Sequence, residues 1–195
     1  VVLPFDDCEN VKLLDLSIIP GASATNVGAV QGPNNGYDVY DFSPPGSTVA
    51  VPSSGLADFR TFTVAIRLNT ALAPSATQTI LTVGSSNLVI ELEEEDDIAV
   101  SVLASGGAAS SAVIGNITLG VWHTLRVSIN ADGAGSLFVS FDSNVIENSG
   151  IEFQDGLPIA AGQLTVSSFN GALSCLEFAT ASSASAPATS ACDGF

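Results

Sequence analysis

The chain has 195 residues, enough for one domain with a real interior, since a protein of this size buries roughly 70% of the surface its unfolded chain exposes. Four basic residues (Lys12, Arg60, Arg67, Arg126) stand against 20 acidic ones, a formal net charge of −16, and 46% of residues are apolar while 12% are charged. That balance argues against nucleic acid and other polyanions, which need a basic footprint, and against a disordered chain, which is poor in apolar residues.

The chain starts Val1-Val2 and contains no Met, so trimming or excerption from a longer precursor is expected. Val11–Leu16 fits either a short strand or a short helix. Beyond it the dominant period is two. Phe62, Val64, Ile66 and Leu68 alternate with Thr61, Thr63, Ala65 and Arg67. Leu88, Ile90 and Leu92 alternate with Val89, Glu91 and Glu93; Ile98, Val100 and Val102 follow, then Leu125, Val127 and Ile129, then Leu137, Val139 and Phe141. Successive side chains of a strand point to opposite faces, so each run turns one face to a core. Gly32-Pro33-Asn34-Asn35-Gly36, Pro44-Pro45-Gly46, Gly84-Ser85-Ser86-Asn87 and Asn130-Ala131-Asp132-Gly133 stand between the runs. They supply the turn residues that hairpins need. Roughly a dozen short strands at this spacing predict an all-β, two-sheet antiparallel β-sandwich. Residues 1–178 are expected to form it. The last segment, 179–195, is rich in Ala, Ser and Thr up to Cys192 and is expected to be a surface tail. No apolar run approaches the roughly 20 residues of a membrane helix.

Residues that could carry chemistry are few. Glu91-Leu92-Glu93-Glu94-Glu95-Asp96-Asp97 reads as a strand entering a turn, with Glu91, Glu93 and Glu95 on one face and Glu94, Asp96 and Asp97 at the bend. Clustered carboxylate oxygens suit calcium, with Glu93, Glu95, Asp96 and Asp97 as candidate ligands. The competing reading is a solvated hairpin tip whose like charges discourage edge pairing. A retaining glucanase would need acid and nucleophile on one strand in an E-x-D-x-x-E pattern, which E-L-E-E-E-D does not supply. His123 is the sole His, so neither a triad nor a thiolate–imidazole zinc site can be assembled around it. Alternation puts it on the face opposite Trp122, the sole Trp. Asn116-Ile117-Thr118 is a glycosylation sequon in a turn. With Cys8, Cys175 and Cys192 far apart and in no C-x-x-C pair, it points to a secreted, extracellular protein.

Three stretches carry a family resemblance: Ala57-Asp58-Phe59-Arg60-Thr61-Phe62-Thr63-Val64, then Gly120-Val121-Trp122-His123-Thr124-Leu125 followed by Ser136-Leu137-Phe138-Val139, then Leu176-Glu177-Phe178 through Cys192-Asp193. In order and spacing they resemble the thrombospondin N-terminal-like domains, a branch of the laminin G and concanavalin A-like jelly rolls that includes the amino-terminal non-collagenous domains of fibril-associated collagens. The resemblance implies a non-catalytic module of extracellular adhesion and matrix assembly, working through contacts with other proteins or copies of itself, and no enzyme. A calcium-dependent, lectin-like module that binds glycans is the alternative, with Tyr37, Tyr40 and the acidic turn as its candidates. The resemblance also implies that Trp122 packs in the core and that Cys8 pairs with Cys175. Relatives bridge their last cysteine to one just after the second hairpin strand. Here Phe138-Val139-Ser140-Phe141-Asp142 has none, so Cys192 is left as a free or intermolecular thiol. Cys175–Cys192, closing a short loop, is the competing pairing. Heparin-binding relatives carry basic patches, which four scattered cations do not build.

Overall fold

The computed structural model describes residues 2–4, 25–27, 30–34, 37–51, 61–84, 88–103, 109–115, 117–130, 136–149, 164–180 and 192. Val11–Leu16, Cys8, Asn116 and residues 181–191 lie outside them. Among the described residues fifteen strands follow one another: β1 (Val2–Pro4), β2 (Thr25–Val27), β3 (Val30–Asn34), β4 (Tyr37–Asp41), β5 (Thr48–Val51), β6 (Thr61–Thr70), β7 (Gln78–Val83) and β8 (Leu88–Leu92). They continue as β9 (Ile98–Leu103), β10 (Ala109–Ile114), β11 (Trp122–Asn130), β12 (Ser136–Phe141), β13 (Asn144–Ser149), β14 (Leu164–Val166) and β15 (Gly171–Thr180). An 8-stranded sheet runs β13-β12-β11-β6-β15-β4-β3, with β1 also on β15, and a 7-stranded sheet runs β10-β9-β8-β7-β14-β5-β2. All pairings are antiparallel. The fold is the expected antiparallel β-sandwich.

The alternating apolar residues make the two sheets stack. Phe62, Val64, Ile66 and Leu68 of β6, with Leu125, Val127 and Ile129 of β11, face Leu88, Ile90 and Leu92 of β8 and Ile98, Val100 and Val102 of β9 in one buried cluster. Burying each such side chain is worth about 1.5–3 kcal/mol, so the shared interior dominates the fold's stability. Among the register shifts of the described strands, two re-aim buried side chains. On β7 the register shifts between Thr79 and Leu81, so Ile80 and Leu81 are both buried despite being adjacent. On β15 it shifts between Leu173 and Cys175, so Leu173 pairs with inward Leu68 while Cys175 pairs with outward Arg67.

The second bulge decides the disulfide. It turns Cys175 to the outer face of the 8-stranded sheet, where it bonds Cys192, and both cysteines pack with Ala65 in a separate buried cluster. The expected Cys8–Cys175 pair is therefore replaced by Cys175–Cys192, and Cys192 is not a free or intermolecular thiol. Had Cys175 kept the phase of Leu173 it would have pointed inward, away from this partner. Strand β15 also runs to Thr180, two residues into the stretch expected as tail, and Cys192 is buried.

One glycine closes an end of the sandwich. Phe42 and Phe169 stack with centroids 5.8 Å apart, and Gly171 begins β15 directly behind Phe169. A Cβ on Gly171 would fall on the Asn69 carbonyl oxygen and the Phe169 ring. Backbone and a fully buried ring cannot yield as a flexible side chain would. Gly171→Ala is expected to cost about 1–3 kcal/mol of stability in urea denaturation, with an unchanged m-value.

Candidate functional site

The site is best built from β6 and β11, which pair over nine residues from Trp122↔Asn69 to Asn130↔Thr61. With Leu125, Val127 and Ile129 inward, the residues between them point out from the sandwich. Thr63 and Ser128 meet there, their hydroxyls 2.8 Å apart and buried. Ser140, Arg126, Ala65 and Glu177 lie in one cross-strand row, and Thr124, Arg67 and Cys175 in the next. Arg67 places its guanidinium carbon 5.6 Å from the Trp122 ring centroid, within range of a cation–π contact. Two of the chain's four basic residues and its only Trp thus share one half-buried surface.

The resemblance put Trp122 in the core; the structure reverses that. Trp122 is half-buried on the outer face, and His123 is the inward residue, 7% exposed. His123 sits two positions before Leu125 and shares its phase. Its ring stacks on Phe141 with centroids 4.8 Å apart. Nε2 lies 3.0 Å from the Thr118 carbonyl oxygen and Nδ1 lies 2.6 Å from Asp142 Oδ2. A carbonyl only accepts, so Nε2 donates to it. Asp142 Oδ1 also accepts from the Thr124 amide at 2.8 Å. Asp142 and Ser143, with φ of 47° and 68°, form the two-residue turn between β12 and β13, the left-handed pair that suits a tight hairpin. His123 and Asp142 are therefore a structural clasp on that hairpin. Both ring nitrogens of His123 are engaged, one by the Asp142 carboxylate and one by the Thr118 carbonyl oxygen.

The acidic run forms a tight loop. The strand stops at Leu92, the Glu93 amide bonds the Asp97 carbonyl oxygen at 2.8 Å, and Asp96 takes a left-handed φ of 61°. Glu95 consequently sits at the exposed tip instead of sharing a strand face with Glu91 and Glu93. The Asp96 carbonyl oxygen accepts from the Ile117 amide at 3.0 Å, tying this loop to the one before β11. Among the described residues no group of three or more His, Cys, Asp or Glu side chains is placed to hold a metal ion. The calcium reading of Glu93, Glu95, Asp96 and Asp97 draws no support from this geometry. Tyr40, a candidate for sugar stacking, is 2% exposed within the core, so it offers no ring to a ligand. Asp41 instead caps its own turn, accepting from the Ser43 amide at 2.9 Å.

The Arg67–Trp122 pair was missed in the sequence, although alternation alone puts Arg67 and Arg126 outward on their strands. The missing information was the β6–β11 register, which makes them neighbours.

No family model matches the chain, and no curated protein matches it. Solved structures do. The receptor-binding domain of botulinum neurotoxin D superposes with a TM-score of 0.68 at 11% identity, over 82% of this chain and 44% of that one. The type G receptor-binding domain gives 0.61 at 9% identity, over 82% and 43%. A serotype D ligand-binding domain in complex with N-acetylneuraminic acid gives 0.66 at 11%, over 82% and 42%. The chain spans less than half the length of these structures, and at such identities the likeness establishes a shared sandwich fold.

The clasp yields a direct test. Asp142→Gly keeps the left-handed turn and removes only the carboxylate, so it is expected to lower stability by about 1–2 kcal/mol. Chemical denaturation monitored at Trp122, two residues before the Thr124 amide, reads the loss.

Proposed function

We propose that this chain is a non-catalytic extracellular module of the thrombospondin N-terminal-like, laminin G-like type, which takes part in adhesion and in matrix or filament assembly through protein–protein contacts. The observation that carries this reading is where the polar chemistry sits. Among the described residues the buried polar side chains are Ser47, Thr63, Thr70, His123, Ser128, Ser140 and Ser174, with no carboxylate among them. A hydrolase of this architecture would need opposed acids in a cleft. The Arg67–Trp122 surface offers a stacking plane and a bidentate donor instead, the residue types that anchor interfaces.

A glycan-binding module is the second reading. It is favoured by the likeness to a domain in complex with N-acetylneuraminic acid, and by the same Arg67–Trp122 pair, since an indole face packs on a sugar and a guanidinium grips a carboxylate. In that reading calcium at Glu93, Glu95, Asp96 and Asp97 would be an accessory.

Adhesion of protein-coated beads to immobilised extracellular matrix proteins tests the first reading, with a glycan array run in parallel with and without calcium. Capture of matrix protein that falls at least about tenfold with Arg67→Ala or Trp122→Ala is the expected result. Glycan capture lost on adding chelator would favour the second reading, and turnover of any glucan by the purified protein would defeat both.

A further inference from the structure

Among the described residues the two sheets have five edge strands: β13, β3 and β1 on the 8-stranded sheet, β10 and β2 on the 7-stranded one. An edge strand presents unpaired backbone N–H and C=O groups, and proteins blunt such edges with short strands, Pro, bulges or charge. Four of the five carry such a device. β1 and β2 have three residues each, and β1 ends on Pro4. β3 contains Pro33, which has no N–H to offer. β13 carries Glu147, and its pairing with β12 is broken by a bulge where Ile146 has no direct partner. β10 has none of them: Ala109–Ile114 is six residues long, without charge, Pro or Gly, and pairs with β9 in unbroken register.

We propose that β10 is a self-association edge, at which a second copy of this chain adds its own β10 antiparallel to extend the 7-stranded sheet. Backbone pairing of this kind is self-complementary, so one strand repeated about a two-fold axis satisfies both partners. The charge of the strand itself is compatible with such pairing. A chain of net charge −16 repels its copies, yet residues 98–130 contain no Asp or Glu, and β9 and β10 lie within that acid-free stretch. Side-chain exposure agrees. Val113 is 53% exposed on β10, and Val145 and Ile146 are exposed on β13, which approaches β10 on the same side of the sandwich. A second copy seated on β10 would draw these three apolar side chains toward cover.

The pairing adds a contact between copies to the Arg67–Trp122 surface of the assembly reading, and rests on that reading. Sedimentation velocity of the full chain over a concentration series tests it. The expected result is a monomer–dimer equilibrium whose Kd rises at least about tenfold in Val113→Glu, because the substitution places like charges on either side of the two-fold. Leu72→Glu, at another exposed apolar position, serves as control and should leave Kd within about twofold of the parent. Amide exchange should in turn slow across Ala109–Ile114 as concentration rises. A strict monomer, equal weakening by both substitutions, or unchanged exchange in β10 overturns the proposal. A strict monomer that still captures matrix protein would overturn the pairing and leave the assembly reading standing.

Discussion

The ladder between β6 and β11 governs the molecule. These two long strands lie in the middle of the 8-stranded sheet, and their nine-residue register determines which side chains meet inside and which outside. Inside, Phe62, Val64, Ile66 and Leu68 line up with Leu125, Val127 and Ile129, and that apolar surface holds the second sheet. Outside, the same register brings Thr63 to Ser128 and Arg67 between Thr124 and Cys175. A slip of one residue would turn one of the two strands over, exposing its hydrocarbon and burying its arginine. The interior and the candidate binding surface are thus two consequences of one alignment.

Bulges then adjust what strict alternation would give. The extra residue on β7 lets Ile80 and Leu81 both face the core, filling space that alternation would leave to one of them. The irregularity at Ser174 turns Cys175 outward and so makes the bridge to Cys192 possible, fixing the buried position of Cys192 against Ala65. An inserted residue bends a strand and re-aims its side chains, and here it puts Cys175 on the outer face, where Cys192 lies. With Cys175 and Cys192 joined, Cys8 is the cysteine left over.

The sandwich and most of its core were legible in the sequence because the inward positions are large and apolar while the positions between them are mostly small or polar. The same alternation placed His123 in phase with Leu125, Val127 and Ile129. The family resemblance pointed to Trp122 instead, and the local period was the better guide. The sequence left the disulfide open between Cys8–Cys175 and Cys175–Cys192, since the Ser174 bulge that decides it leaves no mark in residue type and shifts every outward assignment after it. Nor was the Arg67–Trp122 contact, which depends on a register between residues 55 positions apart in the chain. The acidic loop was foreseen as a bend, but its tight closure from Glu93 to Asp97 carries Glu95 off the strand face on which alternation had placed it.

Trp122 is the only Trp in the chain, so its environment reports the phase of β11 without a competing signal. Acrylamide quenching of native Trp122 fluorescence is the most direct measurement, because acrylamide carries no charge and is indifferent to a net charge of −16. An outward Trp122 beside Arg67 predicts ready quenching in the folded protein, with a modest further gain on unfolding. A native indole shielded from acrylamide until the protein unfolds would put Trp122 in the core, reverse the faces of β6 and β11, and contradict the account.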